Sequence, residues 1–203
     1  MKSGIKRDSR ASGETARQRI LEAAQRLFAE KGYRGTSVQE ITDGANVNKA
    51  MLFYYFKRKE GLYFYLIQNI LDGILDTLKA RISESRDPLA KLSAFLDIYK
   101  ELCFCPKNLD KFRILFQDIM GPGDRVKASL RGNTKAFLEI IASVIEEGSS
   151  KGVFKSVDPK ITALSLIGIC YVLARHKLIL GEQFNTDDVT PYIHSLILEG
   201  IKL

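Results

Sequence analysis

A chain of 203 residues with 45% apolar and 27% charged side chains can bury a core in one or two domains, and reads as an ordinary globular protein. Its net charge of +7 is uneven: residues 1–62 carry 13 Lys and Arg against 7 Asp and Glu, while the other 141 residues balance to within one charge. That pattern fits a first third that meets a polyanion, or simply a solvated basic surface. The most apolar run, Ala163 to Ala174, falls short of the ~20 residues of a membrane span, and MKSGIKRDSRASGETARQR lacks the apolar stretch of a secretory leader; three cysteines without a disulfide framework fit a reducing cytoplasm, so a cytoplasmic protein is expected.

Thr15 to Lys31 carries Ile20, Leu21, Ala24, Leu27 and Phe28 at helical spacing. A Thr15/Gln18 capping box opens this first helix and Gly32 stops it. The residues before it, 1–14, are expected to form a disordered basic arm, in which Lys6, Arg7 and Arg10 have the chemistry to enter a minor groove. Ser37 and Glu40 make a second capping box ahead of Val38, Ile41 and Ala45. In the turn that follows, Asn46 is the residue suited to a left-handed backbone, and Asn48 caps a third helix. Leu52 and Phe56 face inward on that helix and Phe53 is assigned to the interior with them, while Lys49, Met51, Tyr54 and Tyr55 are offered elsewhere. For Tyr54 and Tyr55 core packing stands as the alternative. Two helices joined by so short a turn form a helix-turn-helix.

The stretch SVQEITDGANVNKAMLFYYFKRKEGL, residues 37–62, resembles the DNA-binding domain of the TetR family of transcriptional regulators. Its pattern is roughly T-x-x-x-I-A-x-x-A-G-V-S-x-G-x-L-Y-x-Y-F-x-x-K-E-x-L, matched here by Ser37, Ile41, Ala45, Val47, Leu52, Tyr55, Phe56, Lys59, Glu60 and Leu62. Ile20–Ala24 and Leu27–Tyr33 are similar to the family's first helix. Thr42, Asn46, Asn48, Ala50, Phe53 and Arg58 depart from the pattern; Phe53 removes a hydroxyl and Arg58 a helix cap. The resemblance implies phosphate contacts from Thr36 or Ser37, Asn48, Tyr54, Tyr55 and Lys59, and base contacts from Lys49, Ala50 and Met51. A recognition helix enters the major groove by its N-terminal half, which agrees with that assignment.

A fourth helix runs from Lys59 or Glu60 to about Ile82, ~35 Å long. Leu62, Leu66, Ile70, Ile74 and Leu78 form one stripe, and Tyr63, Phe64, Ile67, Leu71 and Leu75 a second, so it must be covered on two sides. Gly73 suggests a close approach or a bend. Further helices are expected from Asp87-Pro88 to Cys105, Asn108 to Met120, Asp124 to Ser149, Asp158-Pro159 to Leu180 and Asp187 to Ile201, with a break at Gly152. The expectation is an all-α protein of nine helices: a helix-turn-helix domain over 15–60 and a six-helix bundle over 61–203.

The bundle carries no G-x-S-x-G, G-x-G-x-x-G or P-loop, and its two histidines, His176 and His194, have no ligand-spaced partner, so neither an enzyme, a metal site nor a cofactor is expected. Cys103, Cys105 and Cys170 read as reduced thiols. The resemblance implies that the bundle binds a small effector and forms a homodimer on a palindromic operator. Phe95, Tyr99, Phe104, Phe112, Phe116, Met120, Tyr171 and Arg175 are the candidate lining of an apolar pocket, with Tyr99 and Arg175 as polar anchors; solid core is the alternative. Leu164, Ile167, Gly168, Tyr171, Val172, Ile179, Tyr192, Leu196 and Ile197 are the candidate dimer seam, or else the monomer's own core. A protein-interaction module without a small effector is the competing reading of the bundle.

Overall fold

The structure, a computed structural model, describes residues 5–117, 124–180, 195 and 199–201, with the backbone alone at 5–14, 104, 116, 117, 124, 125, 177, 178 and 180. The described residues form eight α-helices and one 3-10 turn, with no β-strand: α1 (Ile5–Gly35), α2 (Val38–Gly44), α3 (Lys49–Phe56), α4 (Lys59–Ser83), α5 (Pro88–Phe104), the turn Pro106–Asn108, α6 (Leu109–Gln117), α7 (Asp124–Ser150) and α8 (Pro159–Leu180). The ninth expected helix lies almost entirely outside the described residues. Tertiary contacts group the chain into two compact units, one of Met1–Ile70 with Asp110–Ala128 and one of Leu71–Leu109 with Ser129–Leu203.

In the first unit, α1 breaks at Gly32, whose φ of 70° leaves the helical region at the predicted stop. Its start differs from the prediction. The helix extends back to Ile5, so Thr15 lies inside it and the Gln18 amide donates to Glu22 (2.9 Å) instead of closing a capping box. No proline interrupts residues 5–14, and Lys, Arg, Ala and Glu among them are good helix formers. The core gathers Ile20, Ala24 and Phe28 of α1, Ile41 of α2, Leu52 and Phe56 of α3, and Leu62, Tyr63 and Leu66 of α4. Phe28 and Tyr63 meet edge to face at 5.0 Å between centroids, and Tyr33 sits 4.9 Å from the Tyr63 ring.

Thr42, an unusual hydroxyl in this core, is 1% exposed and lies within donating distance of the carbonyls of Val38 (3.1 Å) and Gln39 (3.0 Å). A helical threonine can satisfy itself on the preceding turn in this way.

α4 is buried on two sides, as its double stripe requires: Leu62, Leu66, Ile70 and Leu78 on one, Tyr63 and Ile67 on the other. Gly73 is exposed, and a Cβ built there meets nothing within 4 Å, so the close approach expected at this residue is not present among the described residues.

The second unit packs Leu78 of α4, Leu92, Phe95 and Leu96 of α5, Ile141, Val144 and Ile145 of α7, and Ala163, Leu166 and Cys170 of α8 into one apolar core. Two of its helices, α5 and α8, begin on side-chain caps. Asp87 accepts from the amides of Leu89 (3.1 Å) and Ala90 (3.3 Å), Asp158 accepts from Ile161 (2.8 Å), and a proline follows each aspartate. After α7 the chain reverses at Gly152, with φ 68°, and the Phe154 ring lies directly on Gly148, where a Cβ would come within 2.0 Å of it.

Candidate nucleic-acid interface

The turn between α2 and α3 is held by three backbone bonds: Ala45 N–H to the Ile41 carbonyl (2.9 Å), Asn46 N–H to Asp43 (3.1 Å) and Val47 N–H to Thr42 (3.0 Å). The last two are the 5→2 and 6→1 bonds of a Schellman motif, which needs a left-handed residue just past the helix end. Asn46 supplies it, at φ 51°. Ser37 caps α2 by accepting from the Glu40 amide (3.1 Å) while the Glu40 carboxylate accepts from the Ser37 amide (2.8 Å), the predicted reciprocal box. The Lys31 ammonium beside it, together with the Ser37 donors, holds the Glu40 carboxyl down at about 2. Asn48 caps α3 through a bond from the Met51 amide (3.0 Å).

These caps present one face. Ser37, Asn48, Lys49 and Ala50 are exposed, Met51 and Tyr55 half-buried, and Tyr54 is 75% exposed. At about 100° per residue the middle of the buried Leu52/Phe56 pair puts Tyr54 on the opposite side and Phe53 about 80° around, on the flank. Phe53 is accordingly 44% exposed, which corrects its assignment to the interior. Tyr54 and Tyr55 meet edge to face at 5.1 Å.

Two residues expected to contact phosphate are turned inward. Thr36 is 1% exposed, with its hydroxyl within donating distance of the carbonyls of Gly32 (2.9 Å) and Leu27 (3.1 Å). Lys59 donates to the carbonyls of Thr36 (2.8 Å) and Tyr33 (2.9 Å), and its ammonium lies 4.2 Å from the centroid of the Tyr33 ring. Both are committed to joining the end of α1, the start of α2 and the start of α4.

Sequence reasoning missed two features of the α3–α4 junction. Lys57 takes a positive φ of 66°, which no residue-type signal announces, and Gly61 is the glycine over which the Phe56 carbonyl closes, since a Cβ there would lie 2.3 Å from that oxygen. The exposed Arg58 pairs with Glu60 (3.5 Å). Arg17 of α1 stacks 4.4 Å from the Tyr65 centroid and 5.6 Å from that of Phe56, and its hydrogen bond lowers the Tyr65 pKa.

In the second unit, Phe95 is fully buried core, touching the rings of Phe137 (5.8 Å) and Tyr99 (6.4 Å). Among the described residues the buried Tyr99 hydroxyl has no N or O partner; its pKa is pushed far up by burial, with the Cys103 thiol nearest in effect, then Cys170 and Tyr171. Burial likewise raises the pKa of Cys103, and that of Cys170 to about 12, and all three cysteines are free thiols. Arg175 is exposed and Tyr171 half-buried, so Arg175 does not anchor an interior site. Phe112 is buried within the first unit. The side chains of Phe104 and Phe116 and the whole of Met120, Tyr192, Leu196 and Ile197 lie outside the described residues.

Of the candidate seam on α8, Leu164 (61%), Val172 (51%) and Ile179 (65%) are exposed, together with Ile161 (66%), which the sequence reading omitted. Ile167 packs instead on the monomer's core, and a Cβ on Gly168 meets nothing within 4 Å. Among the described residues no helix is long and apolar enough to cross a membrane, and no cluster of three metal-ligating side chains occurs.

A capped helix-turn-helix with a solvent-facing second helix, followed by a helical second unit, defines a DNA-binding transcriptional regulator. Residues 20–66 match the family model described as bacterial regulatory proteins, tetR family, and residues 85–175 match the tetracyclin repressor-like C-terminal domain. The chain belongs to the TetR family. It is 26% identical over 206 aligned positions to the HTH-type transcriptional repressor NicS of Pseudomonas putida, covering 93% of each chain. AibR, solved in complex with isovaleryl coenzyme A and operator DNA, superposes with a TM-score of 0.75 at 22% identity, covering 90% of this chain and 97% of its own. FadR from Bacillus subtilis, in complex with stearoyl-CoA, gives 0.78 at 18% identity, covering 91% and 98%. At these identities the two structures speak for the fold.

Proposed function

We propose that the protein is a cytoplasmic, homodimeric repressor that binds a palindromic operator through α3 of both copies and is released by a small apolar or amphipathic effector taken up in its second unit. The observation that carries the dimer is the row Ile161, Leu164, Val172 and Ile179, four large apolar side chains each more than half exposed along α8. Intervals of three, eight and seven residues keep them on one helix face, and an apolar face left in water is the mark of a surface that meets a partner. A twofold axis gives the same stripe on both copies. Dimerisation also answers a need of the reading head, because one eight-residue helix reads few bases, and two of them a DNA turn apart, ~34–36 Å, read a palindrome.

Base contacts fall to Lys49, Ala50 and Met51 at the start of α3, and phosphate contacts to Ser37, Asn48, Tyr54 and Tyr55. The sign, repression, is supported by the named activity of NicS. The effector class is supported by the coenzyme A thioesters held by AibR and FadR, and by a core in which the Tyr99 hydroxyl has no N or O partner among the described residues. An effector that prefers a state with a different separation of the two α3 helices lowers operator affinity by that preference.

The test is sedimentation of the wild type and of the double substitution Leu164→Glu/Val172→Glu, with binding to a duplex selected from a random pool by the wild type. The wild type sediments as a dimer; the variant stays folded, becomes monomeric and loses the selected duplex. A monomeric wild type, or a variant that remains dimeric, refutes the stripe as the interface.

A further inference from the structure

We infer that Lys59 acts on DNA recognition without touching DNA: it is a positioning residue whose ammonium ties the start of α4 to the loop that launches the helix-turn-helix. All the parts lie in the first compact unit. Gly32 breaks α1, so the carbonyls beyond it lose the regular helical acceptor pattern, and the α1 C-terminus carries the negative end of the helix dipole. The Lys59 ammonium fills that place, with bonds of 2.9 Å to the Tyr33 carbonyl and 2.8 Å to the Thr36 carbonyl and the Tyr33 ring 4.2 Å away. An ammonium has three N–H donors. Two are spent on carbonyls and the remaining side of the cation faces a ring, an arrangement that satisfies the charge internally.

The Tyr33 ring is itself held. It lies 5.9 Å from the centroid of Phe28 and 4.9 Å from that of Tyr63, both buried. Thr36 closes the knot from the other side, since its hydroxyl returns to the carbonyls of Gly32 and Leu27 while its own carbonyl receives Lys59. The very next residue, Ser37, caps α2. Lys59 therefore sets where α2 begins, and through the tight Schellman turn where α3 presents Lys49, Ala50 and Met51. A lysine that instead gripped a phosphate would have to give up the ring or one of the two carbonyls.

The two roles separate in solution. A lysine on a phosphate contributes to every DNA complex and to its salt dependence; one that positions the reading helix contributes only where the fit to bases matters. Lys59→Met keeps the apolar stem and deletes the donors. With the full-length protein, the expected result is a loss of about tenfold in affinity for the selected duplex, a typical scale for lost charge-assisted bonds. Affinity for a random-sequence duplex and the slope of log affinity against log salt stay at their wild-type values. Equal losses on both duplexes, with the slope smaller by about 0.9 per protomer, mark a phosphate contact and overturn the inference. So does an unchanged affinity for the selected duplex. Should Lys59→Met not fold, Lys59→Arg carries the test: a guanidinium serves a phosphate contact but does not reproduce an ammonium wedged between two carbonyls and a ring. Loss of selected-duplex affinity in that variant supports positioning, and wild-type affinity overturns it.

Discussion

Gly61 and Gly73 lie on the same helix, and the same substitution in the two should act with opposite sign. At Gly61 an added Cβ would stand 2.3 Å from the carbonyl oxygen of Phe56 and 3.4 Å from its carbon. Ordinary carbon-to-oxygen approaches are ~3.3 Å or more, so the first turn of α4 has to retreat by about 1 Å from the end of α3. The obstacle is backbone, which no rotamer change relieves. Overpacking of this kind costs ~1–3 kcal/mol, and the propensity gain of alanine, up to ~1 kcal/mol in a helix interior, is muted in a first turn. At ~2–4 °C per kcal/mol for a chain of this size, Gly61→Ala should melt several degrees below the wild type. At Gly73 a Cβ meets nothing within 4 Å and the residue is exposed in mid-helix, so Gly73→Ala should gain ~1 kcal/mol and melt ~2–4 °C higher. Thermal unfolding followed by far-ultraviolet circular dichroism reads both. A Gly61→Ala protein that melts at or above the wild-type temperature refutes the account of the α3–α4 junction.

Glu40 offers a test in acid. Its folded carboxyl titrates at about 2, below the ~4.3 of an unfolded glutamate, so its contribution is present above that higher value and is lost as pH falls toward the lower one. The stability of Glu40→Gln, from urea midpoints, should fall less steeply over that window than the wild type's; a Glu40 carboxyl that titrates at the ordinary glutamate value by NMR contradicts the capping geometry. At Asn48, stability and binding should part company. Asn48→Ala removes the acceptor for the Met51 amide and costs ~1 kcal/mol, whereas Asn48→Asp keeps the cap and loses DNA affinity by setting a negative charge toward the phosphates. Equal operator affinity for Asn48→Asp and wild type would remove Asn48 from the interface.

Much of the reading head is local chemistry, which is why it could be read along the chain. A capping box joins residues three apart, a left-handed asparagine follows a helix end, and apolar spacing of three and four names a buried face; Ser37/Glu40, Asn46, Asn48 and Leu52/Phe56 all follow such rules. The start of α1 differs from the expected one because Thr15 and Gln18 satisfy the same local pattern inside a helix as at its end. Residue type alone assigns Phe53 to the interior, whereas the helical period puts it on the flank, where it is found.

The all-α class, the helix-turn-helix and the family pattern are all written in the order of residues along the chain. Which polar residues face outward depends on how distant elements pack. Lys59 stands 23 residues from Thr36 and 26 from Tyr33, and no local rule predicts that its ammonium ends on their carbonyls instead of in solvent. The same holds for Gly61, whose missing side chain is required by a carbonyl of the preceding helix, and for α8, where Ile167 packs half-buried against the core while Leu164 and Val172 are left in water. A side chain's identity sets what bonds it can make; the packing of distant elements decides which partners come within reach before water or DNA does.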